Sequence, residues 1–526
     1  MVIGVEKLFF PPSCEKCLIN SLFRSKFLLE VKRHQMSPVP SVRRSLGIVT
    51  ITKLIAFGLG LPTMILVSRL LSPHEIGIFS VSAAFIGFAH VLREFGVGQY
   101  LIQTPSITRE RRRAAFTVTL MVSWSIAGLL YICRPVIARF YAEPGIEQVM
   151  ELLAINFLIL PFATPLRSQL QREMQFSKLA VADIANNVAA ALVTVSAAWY
   201  GMSYKSMALG AIAGNTVAFL ALIRISPRGA LDWPTLSGLR EVLKFGTHSS
   251  VASFSAEIGT AAPDLILGRT KGFSDVAYFS RANGLLSMAL NELSGVVQSV
   301  IVPLFAKGHR DGKNLSELYI QYSSSFLAIV LPVLSLLALL SDPLIDFMFG
   351  AQWSRSAPLA SMLCVFAMMT GPVRLAPLVL VASGHVATLM RCHLMLVTAK
   401  VAILCASIFV SLEAVVASLA LVYLLETVLF MRALRARIGV DSGALWRGIR
   451  SCYFLVPVTL ILPALALMGL HSMQIGSSFV LLAVAGFLGM FSWIVGVFWL
   501  RHPIHLELAN FAKKAGRFLG VQEKNG

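Results

Sequence analysis

The residues of this chain with chemistry to offer are ionisable side chains set inside runs that are otherwise apolar. Lys53, Arg93, Glu94, Asp183, Glu257, Asp264, Arg281, Glu292, Arg374, Lys400 and Glu426 all stand in such runs. A charge at the centre of a membrane-spanning helix costs about 2.5–3.5 kcal/mol on insertion scales, so it is kept where it binds, couples or pairs. Deep Arg and Lys favour an anionic ligand, whereas a buried carboxylate can take up a proton or an ion. Other chemistries lack their residues. There is no Walker A sequence for nucleotide hydrolysis and no His-Glu-x-x-His zinc motif, and the ten histidines are dispersed. Cys14 and Cys17 form a lone C-x-x-C that reads as two reduced cytosolic thiols. No disulfide framework, metal site or cofactor is expected.

These charges need helices to position them. The 526-residue chain is 56% hydrophobic and 13% charged, with mean hydropathy +0.75; a soluble chain would be about a quarter charged. Apolar stretches of about 20 residues, enough to cross a hydrocarbon core of roughly 30 Å, recur from Leu46 almost to Leu500. Backbone groups in lipid must bond internally, so the stretches are helices. About fourteen fit the sequence, which makes an all-α polytopic membrane protein. The net charge of +19 does not signal nucleic acid, because the basic residues gather in alternate short loops. Arg109 to Arg113, Arg167 to Lys178, Arg224 to Lys244, Lys307 to Lys313, Arg391, Arg432 to Arg450 and the C-terminal tail carry most of them. Lys and Arg accumulate on the cytoplasmic side, so both termini are expected inside.

One stretch is used twice. SRLLSPHEIGIFSVS, Ser68 to Ser82, and GRTKGFSDVAYFSRA, Gly268 to Ala282, align at a shift of 200 positions. Arg69 then matches Arg269, Glu75 matches Asp275, Gly77 matches Ala277 and Phe79 matches Phe279. Each copy closes one apolar segment and opens the next, and a weaker echo relates Pro165–Arg167 to Pro372–Arg374. The first span therefore matches the seventh and runs the same way. This predicts parallel repeats about an axis along the membrane normal, facing one another across a cavity. The expected divisions are a cytoplasmic segment over residues 1–45, a six-helix lobe over 46–226 and a linker over 227–242. A second six-helix lobe over 243–432, two additional helices over 433–500 and a cytoplasmic tail over 501–526 follow. A start at Met36 instead of Met1 would leave a short basic leader before the first helix.

Reading on from the repeat, a family resemblance emerges. REFGVGQYLIQ (Arg93 to Gln103), ARFYAEPGIEQVMELLAINFL (Ala138 to Leu158), REMQFSKLAVADI (Arg172 to Ile184), LKFGTHSSVASF (Leu243 to Phe254), AYFSRANGLL (Ala277 to Leu286), VIVPLFAK (Val300 to Lys307) and PLIDFMFGAQW (Pro343 to Trp353) carry it. In order and spacing they resemble the polysaccharide-transport family. These are the Wzx-like oligosaccharide flippases of the multidrug/oligosaccharidyl-lipid/polysaccharide exporter superfamily. The resemblance covers roughly Arg43 to Arg437. It implies a bacterial inner-membrane transporter, not an enzyme, that moves undecaprenyl-diphosphate-linked sugar repeat units for exopolysaccharide, capsule or O-antigen synthesis. Its partners would be the lipid-linked oligosaccharide, membrane lipid, and a polysaccharide polymerase with its export machinery. An ion-coupled multidrug or cation antiporter of the same superfamily is the nearest alternative, and a non-transporting membrane scaffold a more distant one.

A diphosphate-sugar head needs a wet path with cations and hydrogen-bonding groups. For such a substrate Arg93, Arg281, Lys53, Lys400 and Arg374 are the candidate diphosphate-binding residues. Glu257, Glu292 and Asp264 are the candidate coupling carboxylates. The bland reading differs by depth: Lys53, Arg374, Asp183 and Glu426 lie near helix ends where side chains snorkel, while Arg93, Lys400, Glu257 and Glu292 could join helices as ion pairs. Asn186, Asn187, Asn283, Asn291 and Gln298 could contact sugars or serve as structural glue.

The charge asymmetry makes a topology prediction. Single cysteines placed at Thr108 and Lys524 in a cysteine-free background should resist an impermeant thiol reagent applied outside intact cells, and one at Ala142 should react. Labelling at Lys524 would overturn the even helix number.

Overall fold

The computed structural model describes residues 42–94, 97, 108–226, 234, 235 and 239–505, except 408 and 475. Cys14, Cys17, Met36, Ile107 and the tail beyond His505 lie outside these residues, as does the side chain of Gln298. The described residues form helices α1 (Val42–Leu70), α2 (Pro73–Glu94), α3 (Arg109–Tyr141), α4 (Pro144–Arg172), α5 (Phe176–Trp199) and α6 (Lys205–Ile225). Then come α7 (Leu239–Thr270), α8 (Phe273–Arg310), α9 (Leu315–Leu339), the short α10 (Ser341–Phe349), α11 (Ser356–Met369) and α12 (Ala376–Ala382). Helices α13 (Val386–Ala406), α14 (Leu412–Ile438), α15 (Ser442–Ser472) and α16 (Ser478–Trp499) complete the chain. Eleven described helices are long and apolar enough to cross a membrane, and α11 with α12 makes a twelfth span bent by 53°. Helices α7 and α8 would bring the number to the fourteen expected; at 32 and 38 residues they have the length.

The repeated stretch builds the same corner twice. Ser72-Pro73-His74-Glu75 is a capping box with proline at the first helical position: Ser72 N donates to Glu75 Oε2 at 2.7 Å, and Glu75 N to Ser72 Oγ at 3.4 Å. It starts α2 four residues before the apolar run that begins at Gly77. Ser203, just ahead of α6, donates to Glu75 and ties the two helix starts together. In the second copy, Asp275 in the first turn of α8 accepts from Arg355 Nη1 at 3.1 Å, and Arg355 Nη2 lies 3.8 Å from Glu413 at the start of α14. The matched acids Glu75 and Asp275 thus fasten the second helix of each lobe to the sixth. We call this side of the molecule the repeat-turn face and the other the basic face.

Helices α1–α6 form one lobe and α7–α14 the other; α15 and α16 pack as a hairpin on α9 and α10. Helix α14 ends at Gly439, whose φ of 70° closes it with a left-handed cap, and α15 starts at Ser442. The largest side chains with no exposure (Phe157, Phe305, Tyr319 and Trp353) fill the interior of both lobes. Proline breaks the backbone ladder at several depths, because it cannot donate to the carbonyl four residues back. The carbonyl of Ala328, freed by Pro332, accepts from Trp493 Nε1 at 2.8 Å. The carbonyl of Met368, in the last turn of α11, accepts from Tyr453 Oη at 3.2 Å. Near the basic face a polar staple holds the end of α16: His502, 1% exposed, lies 3.1 Å from Ser324 Oγ and 3.3 Å from Cys452 Sγ. Burial, with His505 beside it, pushes this imidazole below the usual histidine range, so it stays neutral.

The lobes cross where α2 meets α8 at Gly77. A Cβ there would sit 1.8 Å from the Phe273 carbonyl oxygen, and backbone cannot yield as a flexible side chain can. The second copy has Ala277, fully buried, at the matched place. Gly77→Ala should therefore destabilise the protein by about 1–3 kcal/mol, the usual cost of overpacking. Gly128→Ala, with no atom within 4 Å of its added methyl, is the matched control. Thermal unfolding in detergent checks both; equal melting temperatures would refute the close crossing.

Candidate functional site

At the repeat-turn face the two lobes are joined by hydrogen bonds to the last turn of α1. Arg69 Nη2 donates to the Phe347 carbonyl at 2.6 Å, and Gln352 Nε2 and Trp353 Nε1 both donate to the Ser68 carbonyl, at 2.7 and 2.8 Å. These carbonyls are available because they end helices. Beneath this clasp stands Arg281, its guanidinium over the rings of Trp353 and Phe349 at 5.4 and 5.6 Å. Its Nε is buried with no hydrogen-bond partner among the described residues. A cavity of about 320 Å³ opens beside it, lined from the first lobe by Thr63, Met64, Phe79, Asn187 and Thr194 among others. Arg281 reaches this cavity from the second lobe, so the cation sits at the seam.

Arg93 lies near the opposite end of α2. It is twenty residues along α2, ~30 Å from the repeat-turn face at 1.5 Å per residue, whereas Arg281 is eight residues along α8, or ~12 Å. Arg93 Nη1 donates to Thr164 Oγ1 on α4 at 3.1 Å. Its ion-pair partner is Glu94, at 3.8 Å and 74% exposed, and its Nε is buried without a partner among the described residues. Among the described residues no deep carboxylate pairs with either arginine. Between them, α2 and α7 cross with Glu257 Oε1 against Gly87, 1.9 Å from where a Cβ would lie, and Phe88 meets Phe254 at 5.5 Å.

The other candidates are placed differently. Lys53 is exposed on α1 and Glu292 is exposed on α8. Lys400 on α13, Asp264 on α7, Glu426 on α14 and Arg374 form one electrostatic group inside the second lobe. Lys400 Nζ donates to the Gly259 carbonyl at 2.6 Å. Arg374 lies in the break between α11 and α12, where the span bends by 53°. Asp183 pairs with Arg167. Asn186 donates to Asn215 at 3.2 Å and Asn215 to Asn156 at 3.0 Å, an amide chain joining α5, α6 and α4 as structural glue.

Sequence reasoning missed the clasp residues Gln352 and Trp353 as donors, although Trp353 ends a segment that carries the resemblance. It also missed the partners of the proline-freed carbonyls. The signal for those was present, since each proline names its orphan four residues back, but the donor lies far away in sequence.

Comparisons with known proteins agree with this architecture. The model of a family described as polysaccharide biosynthesis protein matches residues 66–358. The lipopolysaccharide biosynthesis protein WzxC of Escherichia coli (strain K12) is 23% identical over 322 residues, 61% of this chain and 65% of that protein. The succinoglycan biosynthesis transport protein ExoT of Rhizobium meliloti (strain 1021) is 24% identical, over 62% of this chain and 66% of that protein. The chain thus spans just under two thirds of the length of these relatives. Among solved structures, the lipid II flippase MurJ in an inward closed conformation superposes with a TM-score of 0.70 at 11% identity, covering 86% of this chain and 99% of that one. An inward-facing multidrug resistance transporter of the MATE family gives 0.62 at 16% identity, covering 77% and 99%. At these identities the likeness is one of fold.

Proposed function

The chain belongs to the polysaccharide biosynthesis protein family, and from that membership we propose that it is a flippase for lipid-linked oligosaccharide. It would carry the diphosphate-sugar head of a polyprenyl-linked repeat unit across the bacterial inner membrane while the lipid tail stays in the bilayer. The repeat-turn face is then periplasmic, the basic face and both termini cytoplasmic, and α7 and α8 complete fourteen spans. The repeat units would supply an exopolysaccharide, capsule or O-antigen polymerase. No bond is made or broken in this step, so the chain acts as a carrier and not as an enzyme.

One observation carries the reading: two buried guanidinium groups, Arg281 at the seam between the lobes and Arg93 near the other end of α2, meet no deep carboxylate among the described residues. A planar guanidinium can bind two phosphate oxygens at once and stays charged when desolvated. Arg93 meets the diphosphate as it enters from the cytoplasmic side. Arg281 receives it after the clasp at Ser68 opens, and Asn187, Thr63 and Thr194 offer hydrogen-bonding groups to sugars beside it. An antiporter of small cations is favoured less, because Asp264 and Glu426, deep carboxylates it could use, already face Lys400 and Arg374. Glu257, where α2 crosses α7, remains the best-placed group for coupling to a gradient.

Arg93→Ala should lower export at least tenfold and accumulate the lipid-linked precursor at unchanged membrane abundance. That is the size expected when a hydrogen bond to a charged group, worth about 1.5–3 kcal/mol, is lost. Arg93→Lys should retain part of the activity. Radiolabelled sugar in the lipid fraction, measured beside membrane abundance, reads the outcome. Normal export by an Arg93→Ala, Arg281→Ala double variant would sink the assignment.

A further inference from the structure

The repeat sets an arginine in the last turn of the first helix of each lobe, Arg69 on α1 and Arg269 on α7. Both reach across the seam to a matched place, the end of the third helix of the opposite lobe. Arg69 Nη2 donates to the Phe347 carbonyl at 2.6 Å, in the last turn of α10, which continues α9. The Arg269 guanidinium lies over the Phe140 ring at 5.2 Å, in the last turn of α3. The reply is reciprocal as well. Beyond the end of α10, Gln352 Nε2 and Trp353 Nε1 donate to the Ser68 carbonyl at 2.7 and 2.8 Å, and Gln352 also to that of Leu71 at 3.3 Å. From the end of α3, Tyr141 Oη donates to the Leu265 carbonyl on α7 at 3.0 Å. The matched residues Ser68 and Gly268 serve the two exchanges differently. Ser68 supplies the carbonyl, whereas Gly268 supplies room, since a Cβ there would lie 3.3 Å from Tyr141 Cε1. The exchanges are also unequal in strength. Ser68 and Phe347 lie within the last four residues of their helices, where a carbonyl has no helical donor, so parting them strands both. Leu265 lies five residues before the end of α7, and its carbonyl keeps a helical donor when Tyr141 leaves.

We propose that these two exchanges form a reversible double clasp that shuts the repeat-turn face, held reciprocally by the duplicated arginines. The Ser68 exchange is its main lock and the Tyr141 exchange its lesser one. The cavity beside Arg281 lies directly beneath the main lock: Met64, which lines it, is four residues, about one helical turn, before Ser68 on α1. Parting the clasp is therefore what admits water to that cavity from the repeat-turn face. The proposal rests on the carrier reading, because a reversible clasp has work to do only in a molecule whose lobes part.

The test uses the full chain without its cysteines, carrying one new cysteine, Ala191→Cys, in the cavity wall on α5. Its rate of reaction with a charged, impermeant thiol reagent is measured without substrate, in intact cells or in inverted vesicles. The preparation used is the one that labels Ala142→Cys, at the corner after α3, so the reagent is known to meet the repeat-turn face. The parent should label far more slowly than Ala142→Cys. Arg69→Ala with Gln352→Ala should label about tenfold faster than the parent, and Tyr141→Phe, which loses one neutral hydrogen bond, about threefold faster. Arg69→Lys, which keeps a charged donor, should stay near the parent rate. Arg69 and Gln352 are exposed and Tyr141→Phe keeps its ring, so membrane abundance should hold. If the double variant fails to accumulate, Arg69→Ala and Gln352→Ala are read singly, each at about threefold. Unchanged rates in variants of normal abundance overturn the proposal, because the contacts are then static packing. A parent that already labels as fast as Ala142→Cys overturns it too, since the face is then not shut. A larger acceleration from Tyr141→Phe than from the double variant overturns the ranking of the two locks. No substrate enters the measurement, so its failure is separable from failure of the flippase assignment, which the export assay decides.

Discussion

In hydrocarbon a backbone carbonyl that loses its helical donor must find another, since leaving it bare costs several kcal/mol. That constraint organises the second lobe. Trp493 of α16 answers the carbonyl that Pro332 frees on α9, Lys400 of α13 answers the one that Pro263 frees on α7, and Tyr453 of α15 caps the end of α11 at Met368. Each repair comes from another helix, so each kink is also a cross-tie. The Trp493 and Tyr453 ties fasten the additional hairpin to the second lobe at two depths, and the His502 staple adds a third near the basic face. In a molecule whose lobes rock against each other, α15 and α16 would therefore travel with the second lobe.

Charge follows a different logic in the lobe and at the seam. Inside the second lobe Asp264, Glu426, Lys400 and Arg374 influence one another electrostatically. Arg93 and Arg281 meet no deep carboxylate among the described residues. Arg281 is held instead by the faces of Trp353 and Phe349, an interaction worth about 2 kcal/mol when desolvated. Aromatic rings restrain a guanidinium without neutralising it, which leaves its N–H groups for a ligand. The same Trp353 donates to the Ser68 carbonyl, so the ring that steadies the cation also belongs to the clasp between the lobes.

Much of this was legible in the residues. Spans were readable because only helices satisfy a backbone in lipid, and the repeat because two hairpins solved one packing problem with one set of residues. The role of Glu75 was also readable, since Ser72-Pro73-His74-Glu75 is a capping box, yet an apolar run alone places the start of α2 too late. What the sequence could not supply was pairing. Lys400 and Arg281 look alike as cations at depth; one is committed to Gly259 and the other stands over two rings. Glu292 looks as deep as Glu257 by position, but it is exposed while Glu257 packs on Gly87. Depth is a local property of a span, whereas partners are set by contacts across more than a hundred residues.

The two copies of the repeat also show how a duplicated fold becomes asymmetric. Both keep an acid in the first turn of the second helix, and both use it to hold the start of the sixth. At the next matched position they diverge, with Gly77 under the Phe273 carbonyl and Ala277 buried opposite. Two identical surfaces crossing at a pseudo-two-fold axis would each need glycine. Letting one copy keep the small residue, and the other contribute the backbone that presses on it, shifts the crossing off the axis. Arg281 then approaches the first lobe's cavity from the second lobe without a matching counterpart: the corresponding residue of the first copy is Val81, fully buried.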